Sequence, residues 1–219
     1  MLVRVLAVVV VAGGVGLAAC GASYGDGAAA SGRPVASAEV DTCGSVAAEF
    51  GQVGGAFGLG GANDDAPWQT PLVSGLPDQG LTAFLDRLKA ENAAIDRIQA
   101  AYDRVTECRR TEVHGIKADV AASRLSRAAA EARLAAIHRL YQTDVLVARL
   151  VGQVVTLRAE RFHEAARRPV VAAHPSRRLR EEIAEQTASN QAKRGAFVAS
   201  VARAETWRDT GFVLGGTVP

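Results

Sequence analysis

Leu81-Thr-Ala-Phe84-Leu-Asp-Arg-Leu88-Lys-Ala-Glu-Asn-Ala-Ala-Ile95-Asp-Arg-Ile98-Gln-Ala-Ala-Tyr102-Asp-Arg-Val105 decides the fold. Leu81, Phe84, Leu88, Ile95, Ile98, Tyr102 and Val105 follow the three-and-four spacing of a helical seam, sustained over more than three heptads. Asp78, after Pro77, is the expected N-cap. Gly115 weakens the helix by about 1 kcal/mol relative to alanine, which a long packed helix absorbs. Ser123-Arg-Leu-Ser126 reads as a short turn, with Ser126 capping the next helix.

That second helix carries Leu134, Ile137, Tyr141, Val145, Ala148, Gly152, Val155 and Phe162 on one stripe. Leu140, Val147, Val151 and Val154 add a second apolar face. A helix apolar on two sides is central in a bundle or covered by another chain. A homo-oligomer would bury this second face, and a monomer would need the third helix or the linker to cover it. Arg149 and Gln153 interrupt Val145 to Leu157, which is too short to span a membrane. Pro169 ends the helix, having no donor and clashing with the preceding turn.

A third helix is expected from Ser176, with Glu181 and Glu182 near its positive end. Its seam is Leu179, Ile183, Gln186, Asn190, Phe197 and Val201. Gln186 and Asn190 stand where apolar residues belong, and buried amides at such positions fix register and oligomer state. The expected fold is therefore all-α: an elongated antiparallel three-helix bundle or coiled coil over 78–209. Its helices cover about 78–122, 126–168 and 176–208, and short connections make them antiparallel neighbours. Residues 210–219 form a frayed tail.

Composition shifts before residue 80. From Cys20 to Gly80 the chain is rich in Gly, Ala and Ser, with Pro34, Pro67, Pro71 and Pro77. The run Gly51-Gln-Val-Gly-Gly-Ala-Phe-Gly-Leu-Gly-Gly61 favours neither helix nor strand. Residues 20–77 are accordingly expected to be a flexible linker. Phe50, Phe57 and Trp68 are its apolar exceptions, candidates to dock on the helices. The linker is acidic: Asp26, Glu39, Asp41, Glu49, Asp64, Asp65 and Asp78 stand against Arg33 alone.

The chain opens with Arg4, an apolar run from Val5 to Leu17, and Leu17-Ala18-Ala19-Cys20 followed by Gly21. This run is shorter than the roughly 20 residues a transmembrane helix needs, and Gly13, Gly14 and Gly16 break its end. The segment resembles the signal peptide and lipobox of bacterial lipoproteins. The resemblance covers only the first 21 residues and implies an address and an anchor, not an activity. It implies cleavage after residue 19, a diacylglycerol on the sulfur of Cys20, and acylation of the new amine. Two or three chains hold a protein stably on a bilayer. An Asp just after that cysteine favours inner-membrane retention in Gram-negative cells. Gly21 stands there, so the implied location in a Gram-negative cell is the outer membrane facing the periplasm; in a Gram-positive organism the same signal implies the outer leaflet of the only membrane.

With Cys20 lipidated, Cys43 and Cys108 are left as a pair in an oxidising compartment, where a disulfide is expected. Closing that loop stabilises by about 4 kcal/mol in the chain-entropy model.

Catalytic signatures are lacking. Neither a phosphate-binding loop nor a His-Glu-x-x-His occurs in the sequence. Glu160-Arg-Phe-His163 has the spacing used by di-iron bundles, but such a site needs two of these motifs and two further glutamates. No cofactor and no metal are expected. Charge is the remaining signal: Arg158, Arg161, Arg167, Arg168, Arg177, Arg178 and Arg180 gather at the second helix's end and the following turn. Such a tip suits anionic lipid, wall polymer or an acidic partner. Nucleic acid is not an expected partner, since only Phe162 interleaves this patch.

The reading is a non-enzymatic, lipid-anchored envelope protein acting as a helical scaffold or interaction module, with itself or another envelope protein as partner. The alternative is a ligand-binding or sensing module for an anionic molecule, lipid or metal at the arginine-rich tip.

Overall fold

The computed structural model describes residues 41–59, 77–167 and 176–215. They form an all-α bundle of four helices: α1 (Gly44–Leu59), α2 (Pro77–Ala121), α3 (Arg127–Arg167) and α4 (Arg177–Thr210). The segment expected to be a signal peptide, Cys20, Trp68, Arg168, His174 and residues 216–219 lie outside the described residues. α2, α3 and α4 pack pairwise, and α1 lies along α2 and α3. Ion pairs and ring contacts fix the directions. Arg109 meets Asp144 while Glu91 meets Arg158, so α3 runs antiparallel to α2. Lys89 meets Glu182 and Lys193 meets Asp96, so α4 returns parallel to α2.

Local chemistry accounts for the helix ends. Pro77 opens α2, where its missing donor costs nothing, so α2 starts one residue before the expected cap at Asp78. α2 runs through Gly115 unbroken. Ser123 takes a left-handed φ of 56° at the α2–α3 turn. The Ser126 hydroxyl then accepts from the Ala129 amide at 3.3 Å, and Ser176 does the same for Leu179 at 3.2 Å.

Two expectations need correction. The stretch expected to be linker contains α1, sixteen helical residues. Gly51, Gly54, Gly55 and Gly58 cost about 4 kcal/mol relative to alanine. Burial of Phe50 and Phe57 offsets this at about 2 kcal/mol each. Phe50 packs on Tyr102 with ring centroids 5.1 Å apart. The Cys43–Cys108 disulfide, with Cα atoms 5.9 Å apart, ties the start of α1 to α2. Gly54 is needed for close approach: a Cβ there would stand 2.6 Å from Cγ2 of Val151. Three of the four residues of the second apolar face of α3 are thus covered from within the chain, with Val151 buried and Val147 and Val154 half-buried in the core, while Leu140 stays exposed.

The tail is the second correction. Gly211 is buried and its amide donates to the Trp207 carbonyl at 2.7 Å. Phe212 folds back onto Trp207, Tyr141 and His138, with ring centroids 4.7, 5.6 and 4.8 Å apart. This aromatic knot closes one end of the core.

Replacing Gly54 by leucine is expected to lower unfolding free energy by about 1–3 kcal/mol through overpacking against Val151. Gly51 is exposed with open space at its Cβ position, so Gly51→Ala is expected to stabilise by up to about 1 kcal/mol. Denaturant titration of the two variants distinguishes a docked helix from a loose segment.

Candidate functional site

Buried charge in this bundle is concentrated in two places, each joining several helices. At the first, Arg109 of α2 is 1% exposed, beside Cys108. Its Nε donates to Asp144 of α3 at 3.0 Å. Nη1 and Nη2 donate to the Asp41 carboxylate at 2.5 and 3.2 Å, and Nη1 reaches Glu112 at 3.3 Å. Asp41 also accepts from the Cys43 amide at 3.1 Å, and the Thr42 hydroxyl donates to Glu112. Charge, backbone and disulfide therefore converge where α1 begins.

Electrostatics follow from that geometry. The Arg109 hydrogen bond holds the Asp41 carboxyl below its ordinary value. Burial pushes Asp144 up, with Arg109 pulling against it. Burial disfavours the charge of Arg109, but its bonds to Asp41 and Asp144 outweigh this and the guanidinium stays charged. Burial also raises the phenols of Tyr102 and Tyr141 far above their ordinary range.

The second place is a polar belt across the bundle. Arg158 of α3 donates from Nε and Nη2 to the buried Glu91 of α2 at 2.8 and 2.6 Å. Its Nη1 donates to the Phe57 carbonyl at 3.3 Å, and its guanidinium lies 4.5 Å from the Phe57 ring centroid. Beside it, Asn92 donates to the carbonyl and Oε1 of Gln186 at 3.1 and 3.0 Å. Asn190 donates to Asn92 Oδ1 at 2.8 Å. The belt separates an apolar cluster around Leu81, Phe84, Leu88, Phe162 and Ile183 from the larger one around Tyr102, Tyr141 and Phe197. Gln186 and Asn190 stood out in the sequence; their partner Asn92, and Glu91, did not, although both sit in the gap between Leu88 and Ile95.

The arginine-rich tip is smaller than expected. Arg158, expected at the surface of that tip, is instead half-buried and bonded to Glu91 and Phe57 inside the bundle. Arg161, Arg178 and Arg180 are exposed, and Arg177 pairs with Glu181 at 2.7 Å. Of Arg167 only the backbone is described, as the last residue of α3. Glu160 and His163 do not converge on a common point: Glu160 faces Arg194 at 3.9 Å and a His163 ring nitrogen meets Gln191 at 2.7 Å. Among the described residues no three His, Cys, Asp or Glu gather to hold a metal, and no helix is long and apolar enough to cross a membrane.

The remaining feature is an apolar surface on α3, which the sequence pattern does not separate from the two stripes that face inward. Leu146, Leu150 and Leu157 are 54%, 42% and 59% exposed. Beside Leu157, the α4 residues Val198 and Ala202 join it in lining a groove of about 470 Å³. An Arg149–Glu205 pair at 3.4 Å crosses that groove. Its chemistry is that of a docking surface, since its walls are mostly aliphatic.

Asp41 has a lowered native pKa, so its contribution to stability is present above the ordinary carboxyl value of 3.8 and lost as pH falls through the native value. Asp41→Asn is expected to cost about 1–2 kcal/mol at pH 7, discounted for partial exposure. The difference from the parent should shrink below pH 3.8, measured by denaturant titration across pH.

No family model matches this chain, and no curated protein or solved structure is similar to it.

Proposed function

We propose that this chain is a lipid-anchored protein of the bacterial cell envelope whose helical bundle works as a non-enzymatic interaction module. The exposed row Leu146, Leu150 and Leu157, flanked by Val198, carries the interaction part of this reading. Large apolar side chains held in water on rigid helices are what a docking surface requires. The buried ionisable groups suit a structural role, since the Arg109 and Arg158 clusters bond within themselves.

The anchor rests on Leu17-Ala18-Ala19-Cys20, as the lipobox resemblance implies. The Cys43–Cys108 disulfide is consistent with it, because such bonds persist in oxidising compartments. An N-terminal lipid leaves the bundle beyond Asp41 to meet its partner outside the bilayer.

Cells expressing the parent chain with an alkyne fatty acid are expected to label it and retain it in the membrane fraction. Cys20→Ser should abolish the label and shift the chain out of lipid-bound form. Label persisting on that variant would overturn the anchor.

A further inference from the structure

We infer that the outer row of α3 pairs antiparallel with the same row of a second copy of this chain, about a two-fold axis between residues 151 and 152. The inference rests on reading that face as an interaction surface and supplies its partner.

Eight residues carry it: Arg139, Thr143, Leu146, Leu150, Gln153, Leu157, Glu160 and Glu164. They stand alternately four and three apart, and all eight are exposed. That is a complete a/d seam about 38 Å long, facing away from the bundle's own core. Among the described residues, four of the six large exposed hydrophobics, Leu140, Leu146, Leu150 and Leu157, belong to α3, so the apolar surface there is concentrated on one helix.

The row is complementary to itself when turned end for end. Arg139 then faces Glu164 of the second copy, and Thr143 faces Glu160. Leu146 faces Leu157, and Leu150 faces Gln153. Symmetry makes each pairing occur twice, as an isologous two-fold contact requires. Parallel pairing instead sets Arg139 on Arg139, Glu160 on Glu160 and Glu164 on Glu164, three like-charge contacts. Slipping the antiparallel register by one heptad keeps Leu146 on Leu150 but sets Leu157 on Arg139 in one direction, and sets Leu150 on Glu160 with Leu146 on Glu164 in the other. Only the stated register opposes leucine with leucine and arginine with glutamate together. Gln153 at a seam position sharpens that choice at some cost in affinity. The neighbouring groove, lined by Gly152, Thr156, Leu157, Val198 and Ala202, leaves room for the second copy's side chains.

The test uses the full chain in its membrane, with differently tagged Leu146→Cys and Leu157→Cys variants expressed together and oxidised mildly. The expected product is a covalent dimer joining the two tags, with little product when either variant is expressed alone. Equal crosslinking of Leu146→Cys with itself would overturn the register. No dimer in any combination, or capture of a different protein at residue 146, would overturn the self-pairing. Fatty-acid labelling of the same samples is read separately, so an anchored but uncrosslinked chain fails this inference and leaves the anchor intact. Because these positions are exposed, the folded bundle is expected to survive each change. As an independent measurement, Arg139→Glu should weaken the dimer about fivefold through two symmetry-related pairs, and adding Glu164→Arg should restore it.

Discussion

An arginine cannot shed its charge, so a buried guanidinium dictates what must surround it. Arg109 sits with Asp144 from the neighbouring helix and Asp41 from the segment before α1. If α2 and α3 slid past one another by a turn, Arg109 and Arg158 would both lose carboxylates at once. The apolar stripes alone would tolerate such a slip, because leucine, valine and alanine repeat along all three long helices. Specificity of register in this bundle therefore comes from its few polar contacts, while its apolar clusters supply the bulk of the stability.

The same logic explains α1. A helix with four interior glycines has little reason to form alone. It forms here because the three residues just before it are captured, Asp41 by Arg109, Thr42 by Glu112 and Cys43 by Cys108. Glycine, unfavourable for the isolated helix, lets the captured one approach Val151 closely.

What was readable from sequence follows the range of the physics involved. Helices α2, α3 and α4 declare themselves through local periodicity and capping residues such as Ser126 and Ser176, and their ends fall within two residues of expectation. α1 was obscured because glycine spacing is judged against intrinsic propensity, whereas its stability comes from residues fifty and more positions away. Phe50 and Phe57, seven apart, were the legible trace. Arg158 was grouped with the arginines that follow it because sequence shows charge density but not which carboxylate lies across a helix interface. The outer row of α3 was present as a clean four-and-three repeat. It becomes visible only once the inner faces of that helix are assigned to α1, α2 and α4, leaving one side without a neighbour among the described residues.

The position of the disulfide has a mechanical meaning. Any tension arriving through the residues before Asp41 reaches Cys43 before it reaches the body of α1. From Cys43 the load passes through a covalent bond to Cys108, in the interior of α2. α1 is bypassed, so its glycine-rich turns need not resist pulling, and peeling it from the bundle would leave Cys43 joined to Cys108. Force is delivered directly to the longest helix, beside the ion cluster that ties α2 to α3.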